Sequence, residues 1–172
     1  MTFTFEGAPS GTRVNVGTYS AAGMYFGPIG PGNLLLNGGG IAGYPDDGTG
    51  YLEVPDGNMS FNFSPNEIRF TLISFDAARF ANFAPPTLEV VGYKAQIMGP
   101  ITTVTNFFTV TSANFQTFYP DSSFQDVFQV SVLNARWSLD NLVIGVPEPT
   151  STAFLALATC TALCWHTLRR NR

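Results

Sequence analysis

The sequence predicts an all-β domain, folded as a β-sandwich, followed by a stiff proline spacer and one apolar helix at the C-terminus. Three observations carry this expectation. Short runs of alternating apolar and polar residues recur over residues 1–145, broken by turn residues roughly every 8–12 positions. The chain has 17 Gly and 12 Pro in 172 residues, and 16 Phe, but charged side chains make up only 12%. Abundant Phe, Val and Thr suit pleated strands, and abundant Gly and Pro suit the turns between them. No stretch before residue 146 carries the apolar stripe of an amphipathic helix.

Taken in order, residues 2–6 alternate with period two and read as a first strand. Residues 7–11 form a turn, and 13–16 and 23–26 are short extended pieces. Residues 27–32, with three Gly and two Pro, read as a loop. Leu34-Leu35-Leu36 is a buried strand. The acidic turn 44–50 leads into a strand at 51–54, and 55–58 turns again. The strands then lengthen: 59–63, 67–75 with Ile68, Phe70 and Leu72 on one face, and 88–97 with Gly92 as a bulge. Residues 77–83 read as a helical turn or an irregular loop. Strands over 102–110, 115–119, 124–133 and 136–144 complete the set. Ten or so strands, the longer ones late in the chain, suit a jelly-roll-like sandwich over residues 1–145.

The segment 146–172 has a different character. Pro147 and Pro149 fix two φ angles and hold Val146-Pro147-Glu148-Pro149 as an extended, polyproline-like spacer. Residues 151–168 contain no Asp, Glu, Lys or Arg. As a helix they reach roughly 27 Å, the lower end of a membrane span. Arg169, Arg170 and Arg172 follow, and such a basic end stays on the cytoplasmic side. The preceding domain is then expected on the far side of the membrane.

This order of Val-Pro-Glu-Pro, apolar run and Arg-rich end resembles the PEP-CTERM sorting signal of Gram-negative, exopolysaccharide-producing bacteria. The resemblance covers residues 146–172. It implies that Pro147, Glu148 and Pro149 are read by an exosortase, a membrane-embedded cysteine-protease-like enzyme. It also implies that the helix and Arg169, Arg170 and Arg172 act as a stop-transfer element. The expected location is the cell envelope, with an inner-membrane-anchored precursor whose domain is periplasmic and then passes to the surface or extracellular matrix. The apolar run is richer in Thr and Cys than the usual signal.

Charge and chemistry narrow the domain's role. Residues 1–149 hold 12 acidic and 5 basic side chains, whereas 150–172 hold three arginines and no acid. An acidic exported part is not expected to bind nucleic acid, which requires a basic face. His166, Cys160 and Cys164 all lie in the tail, so residues 1–145 contain neither a Ser-His-Asp nor a Cys-His centre, nor a zinc site of the usual ligands. The carboxylates show no spacing that selects a glycosidase pair. The expectation is a non-enzymatic protein. Its first residues alternate like a strand and carry no basic start or apolar core, so the chain is expected to begin downstream of its export signal, the alternative being insertion by the tail alone.

Phe5-Glu6-Gly7, Gly48-Thr49-Gly50-Tyr51-Leu52 and the closing run Trp137 to Ile144 resemble, more loosely, the carbohydrate-binding-module-like jelly rolls that precede such tails. In those domains the first and last strands share a structural Ca²⁺, which makes Glu6 and Asp140 candidate ligands. Asp46 and Asp47, in their Gly-rich turn, are a second candidate pair. The same residues also read simply as turn formers, with Asp140-Asn141 bonding backbone. A carbohydrate-binding role would place polysaccharide against aromatic platforms, for which Trp137, Tyr19, Tyr25, Tyr44, Tyr51, Tyr93 and Tyr119 are available.

Overall fold

The computed structural model describes residues 1–63, 68–80, 83–95 and 99–147. Glu148, Pro149, the run 151–168 and Arg169, Arg170 and Arg172 lie outside the described residues, as does most of the expected sorting signal. Among the described residues no helix is long and apolar enough to cross a membrane.

The described chain is all-β, built as two antiparallel sheets. The first contains β1 (Thr2–Phe3), β2 (Arg13–Asn15), β5 (Leu35–Asn37), β6 (Tyr51–Val54), β8 (Thr71–Arg79), β11 (Gln116–Phe118) and β13 (Trp137–Gly145). Its order is β11-β8-β13-β6-β5-β2, with β1 also paired to β13. The second contains β3 (Tyr19–Ala21), β4 (Met24–Ile29), β7 (Asn58–Phe63), β9 (Thr87–Lys94), β10 (Thr102–Thr109) and β12 (Gln129–Leu133), in the order β10-β9-β12-β7-β4-β3. A 3₁₀ turn, Ser122–Phe124, is capped by the Asp121 carboxylate, which accepts from Ser123 N.

The inner faces meet in one core. Phe3 and Phe5 from the first sheet side meet Phe26 of β4 at ring separations of 6.0 and 5.2 Å. Phe26 in turn meets Phe61 at 5.6 Å. Phe75, Phe108 and Phe118 form a second aromatic group where the edge strands β10 and β11 approach. Trp137 is fully buried, with its indole N–H donated to Asn134 O at 3.1 Å. Trp137 and the fully buried Tyr51 are therefore not exposed platforms.

Several local expectations need correction. Residues 77–79 continue β8 and are neither helix nor loop, because they pair with Trp137 to Leu139 of β13 and, at Ala77, with Gln116 of β11, with Ala77 and Ala78 buried. Gly92 is not at a bulge. It pairs regularly with Val104 and Val130, and its missing side chain leaves room for Val104, Val127 and Phe124. Gly27 and Pro28 belong to β4 and not to a loop. Ile68 is 41% exposed and does not share the buried face of Phe70 and Leu72.

The outer face of the first sheet is unusual in burying a carboxylate. Glu53 of β6 is fully buried. It accepts from Arg13 Nε at 2.9 Å and from Arg13 Nη2, and from Asn37 Nδ2 at 2.5 Å. Arg13 also lies over the Tyr44 ring, 4.5 Å from its centroid, so the loop 38–50 is drawn down onto the sheet. Arg13→Ala strands Glu53 without its cation and is expected to cost roughly 3–5 kcal/mol in urea unfolding. Arg13→Lys should recover only part of it, since one ammonium cannot reproduce the guanidinium fork.

Candidate cation site at the junction of three strands

The last strand, β13, changes neighbours partway along one edge. Trp137, Ser138 and Leu139 pair with Val54, Glu53 and Leu52 of β6. Leu142 and Val143 pair with Phe3 and Thr2 of β1. Asp140 and Asn141 fall in the interval between, where the pairing of β13 with β8 also shifts register. Asn141 takes a φ of 43°, a left-handed conformation that Asn tolerates better than most residues. The kink leaves Asp140 fully buried at the place where β1 ends and β6 begins.

Close backbone approach fixes this junction. Gly50 immediately precedes β6, and a Cβ added to it would lie 2.4 Å from Phe5 O, so no side chain fits there. Gly50 N donates to Glu6 Oε2 at 3.2 Å. Thr49, one residue earlier, places its hydroxyl 2.6 Å from Asp47 Oδ1 and 3.1 Å from Asp140 Oδ2. The structure thus joins Asp140 to Asp47 through Thr49 and seats Glu6 on the next residue. Asp46 is not brought to Asp140; its carboxylate accepts Gly48 N at 3.1 Å within its own turn.

The electrostatics are unbalanced. One hydroxyl carries one proton and cannot satisfy two carboxylates at once. Asn141 Nδ2 donates to Asp140 Oδ2 at 3.2 Å and to Asp76 Oδ2 at 2.9 Å. Asp140 Oδ1 is buried and has no partner among the described residues. Burial, together with the neighbouring Asp47 carboxylate, pushes the Asp140 carboxyl up to about 7. Two arrangements relieve the imbalance: a proton on Asp140, or a hard cation between the carboxylates. Oxygen donors of this kind suit Ca²⁺ and not a soft metal.

Among the described residues no group of three or more His, Cys, Asp or Glu side chains is placed to hold a metal ion. A cation here would therefore draw on Asp140, Asp47 and the Thr49 hydroxyl, with backbone carbonyls supplying the rest. The sequence signals Asp140 and Asp47 but not Thr49 or Asn141, whose roles come from the register shift. The Thr-Gly pair before a strand is the signal that could have pointed to Thr49. No protein-family model matches this chain, and no curated protein matches it in sequence.

The sign of the pH effect follows from the raised carboxyl. An ordinary aspartate titrates near 3.8, and the folded Asp140 near 7. The stability contributed by the protonated, folded form is complete below about pH 3.8 and is lost as pH rises through about 7. Chelator-treated protein is expected to lose on the order of 4 kcal/mol from this group between pH 4 and pH 8. Asp140→Asn, which cannot ionise, should remove that portion of the pH dependence in thermal melts monitored by circular dichroism.

Proposed function

We propose that the chain is an exported, non-enzymatic protein of the cell surface or extracellular matrix, sorted through a PEP-CTERM signal at residues 146–172. The observation that carries this reading is the sequence order: Val146-Pro147-Glu148-Pro149, then a charge-free run, then Arg169, Arg170 and Arg172. The position of the motif supports it. β13 ends at Gly145, and Val146 directly after it is 38% exposed, so the motif begins at the surface of the sandwich. A stiff proline tetrapeptide there holds an extended segment ready for a protease-type partner at little entropic cost.

In this reading residues 1–145 form a jelly-roll sandwich that is the cargo, and Ca²⁺ at Asp140 and Asp47 serves stability and not chemistry. The exosortase reads Pro147, Glu148 and Pro149 while residues 151–168 span the inner membrane. The domain stands on the periplasmic side until the tail is removed. A cation-stapled sandwich needs no disulfide, which agrees with a domain free of cysteine.

Mass spectrometry of the mature C-terminus tests the sorting. In a host that carries an exosortase, the surface-exposed product should lack Arg172. Deletion of the exosortase, or a Pro147→Ala/Pro149→Ala pair, should leave the full tail in the inner-membrane fraction. A surface product that retains Arg172 would contradict processing and favour a permanent membrane anchor.

A further inference from the structure

At the end of the sandwich where β13 stops, both sheets turn apolar side chains to solvent. Gly145, the last residue of β13, pairs with Thr71 at the start of β8. A Cβ added to Gly145 would lie 3.5 Å from Ile73 Cδ1, so Ile73 lies against that final turn of chain, and it is 44% exposed. Ile68, three residues before Thr71, is exposed, and so is Val146. Phe70 bridges to Val127 and links this end to the second sheet. There Phe128 N donates to Tyr93 O at 2.9 Å, and Lys94 pairs with Thr102. Ile101, directly before Thr102, therefore stands at the same end, 61% exposed.

The chain that leaves this end is short. Only residues 146–150 separate Gly145 from the charge-free run 151–168. Five residues, fully extended, reach at most about 17 Å. The headgroup layer of a bilayer is itself about 6 Å deep on each side. A span at 151–168 thus holds Ile68, Ile73, Ile101 and Val146 at or just above the lipid surface, whatever path the spacer takes.

We propose, on the reading of residues 151–168 as a membrane span, that this end of the sandwich rests on the bilayer, with Ile68, Ile73, Ile101 and Val146 at the headgroup–acyl boundary. A cluster of exposed aliphatic side chains marks a contact surface, and burying it in that boundary removes it from water. Arg69, the cation beside Ile68, is paired with Asp126 at 2.7 Å, so the contact does not depend on anionic lipid. Lipid is the occupant that the short tether favours: it lies within reach of every copy, whereas a second copy must be met by diffusion. Exposure alone does not define the surface. Phe107 is 66% exposed, but it lies five residues along β10 from Thr102, about 16 Å further from the tether.

Lipid quenching of a site-specific fluorophore tests the contact. The full-length chain, with Cys160→Ser and Cys164→Ser, is reconstituted in phosphatidylcholine vesicles that contain a headgroup-nitroxide lipid. Bimane is attached at Ile73→Cys, Ile101→Cys or Phe107→Cys, all exposed positions that the fold tolerates. The labels at 73 and 101 should be quenched roughly threefold more than the label at 107. Ile68→Ser with Ile101→Ser should weaken the quenching at 73 roughly threefold while the chain stays inserted. Flotation after a carbonate wash reports the span separately. A chain that floats, yet is quenched no more at 73 and 101 than at 107, would overturn the lipid contact and leave the span standing. Quenching at 73 that is unchanged by Ile68→Ser with Ile101→Ser would also overturn it, since the tether alone then brings this end close. Blue-shifted emission at 73 without quenching would assign the surface to a second copy instead. A chain that does not float would remove the span and the contact together.

Discussion

A single hydroxyl proton between two carboxylates is the constraint on which this structure turns. Thr49 faces Asp47 at 2.6 Å and Asp140 at 3.1 Å and can satisfy only one of them. That contact sits where the first strand, the sixth and the last converge, so the charge state of Asp140 is tied to the closure of the first sheet. Both β1 and β6 use the same edge of β13, and Asp140-Asn141 fills the interval they leave. A fold that left a buried carboxylate there without proton or cation would carry an uncompensated charge at its central strand.

The first sheet buries a second carboxylate by a different device. Glu53 receives a guanidinium and an amide, so its oxygens are occupied by donors from its own sheet. Arg13 also stacks on Tyr44 of the loop that carries Asp46, Asp47 and Thr49. The two sites are thus mechanically joined: the cation that neutralises Glu53 also holds down the loop that presents Thr49 to Asp140. Burial and the Glu53 carboxylate raise the neighbouring Tyr51 hydroxyl, keeping that phenol neutral beside them. The second sheet has the opposite character, with an outer face of amides, hydroxyls and tyrosines and a carboxylate, Glu89, only at its margin, opposite Phe107.

The all-β class was legible because alternation is a local property. Residues 51–54 and 59–63 show it directly, and both lie in strands. Residues 77–79 misled because Ala-Ala carries no β-branched signal, and their strand character comes from pairing with β11 and β13. Gly92 misled for a similar reason, since its cause is three side chains distant in sequence. At the junction, Asp140 is a candidate with Glu6 only through the resemblance, and Asp47 with Asp46 through their Gly-rich turn. The meeting of Asp140 with Asp47 depends on a register shift in β13 and on a hydroxyl from Thr49, neither of which leaves a periodic trace. Trp137, an obvious aromatic, is core, whereas Tyr25 stays 40% exposed with its ring against Gly27, a contact between residues two apart on one strand.

The proposed sorting signal lies in the residues after β13, and the sandwich before it is the cargo in that proposal. Its cohesion rests on aromatic packing and the buried Arg13–Glu53 pair, with no cysteine in residues 1–145. The most direct measurement is a Ca²⁺ titration at pH 8, where the Asp140 carboxyl is ionised, followed by isothermal calorimetry and by the melting temperature. The account predicts one Ca²⁺ per chain and a rise in melting temperature, both absent in Asp140→Asn and both unaffected by Asp46→Asn. No Ca²⁺ uptake by the folded wild-type chain, or uptake that persists undiminished in Asp140→Asn, would contradict it.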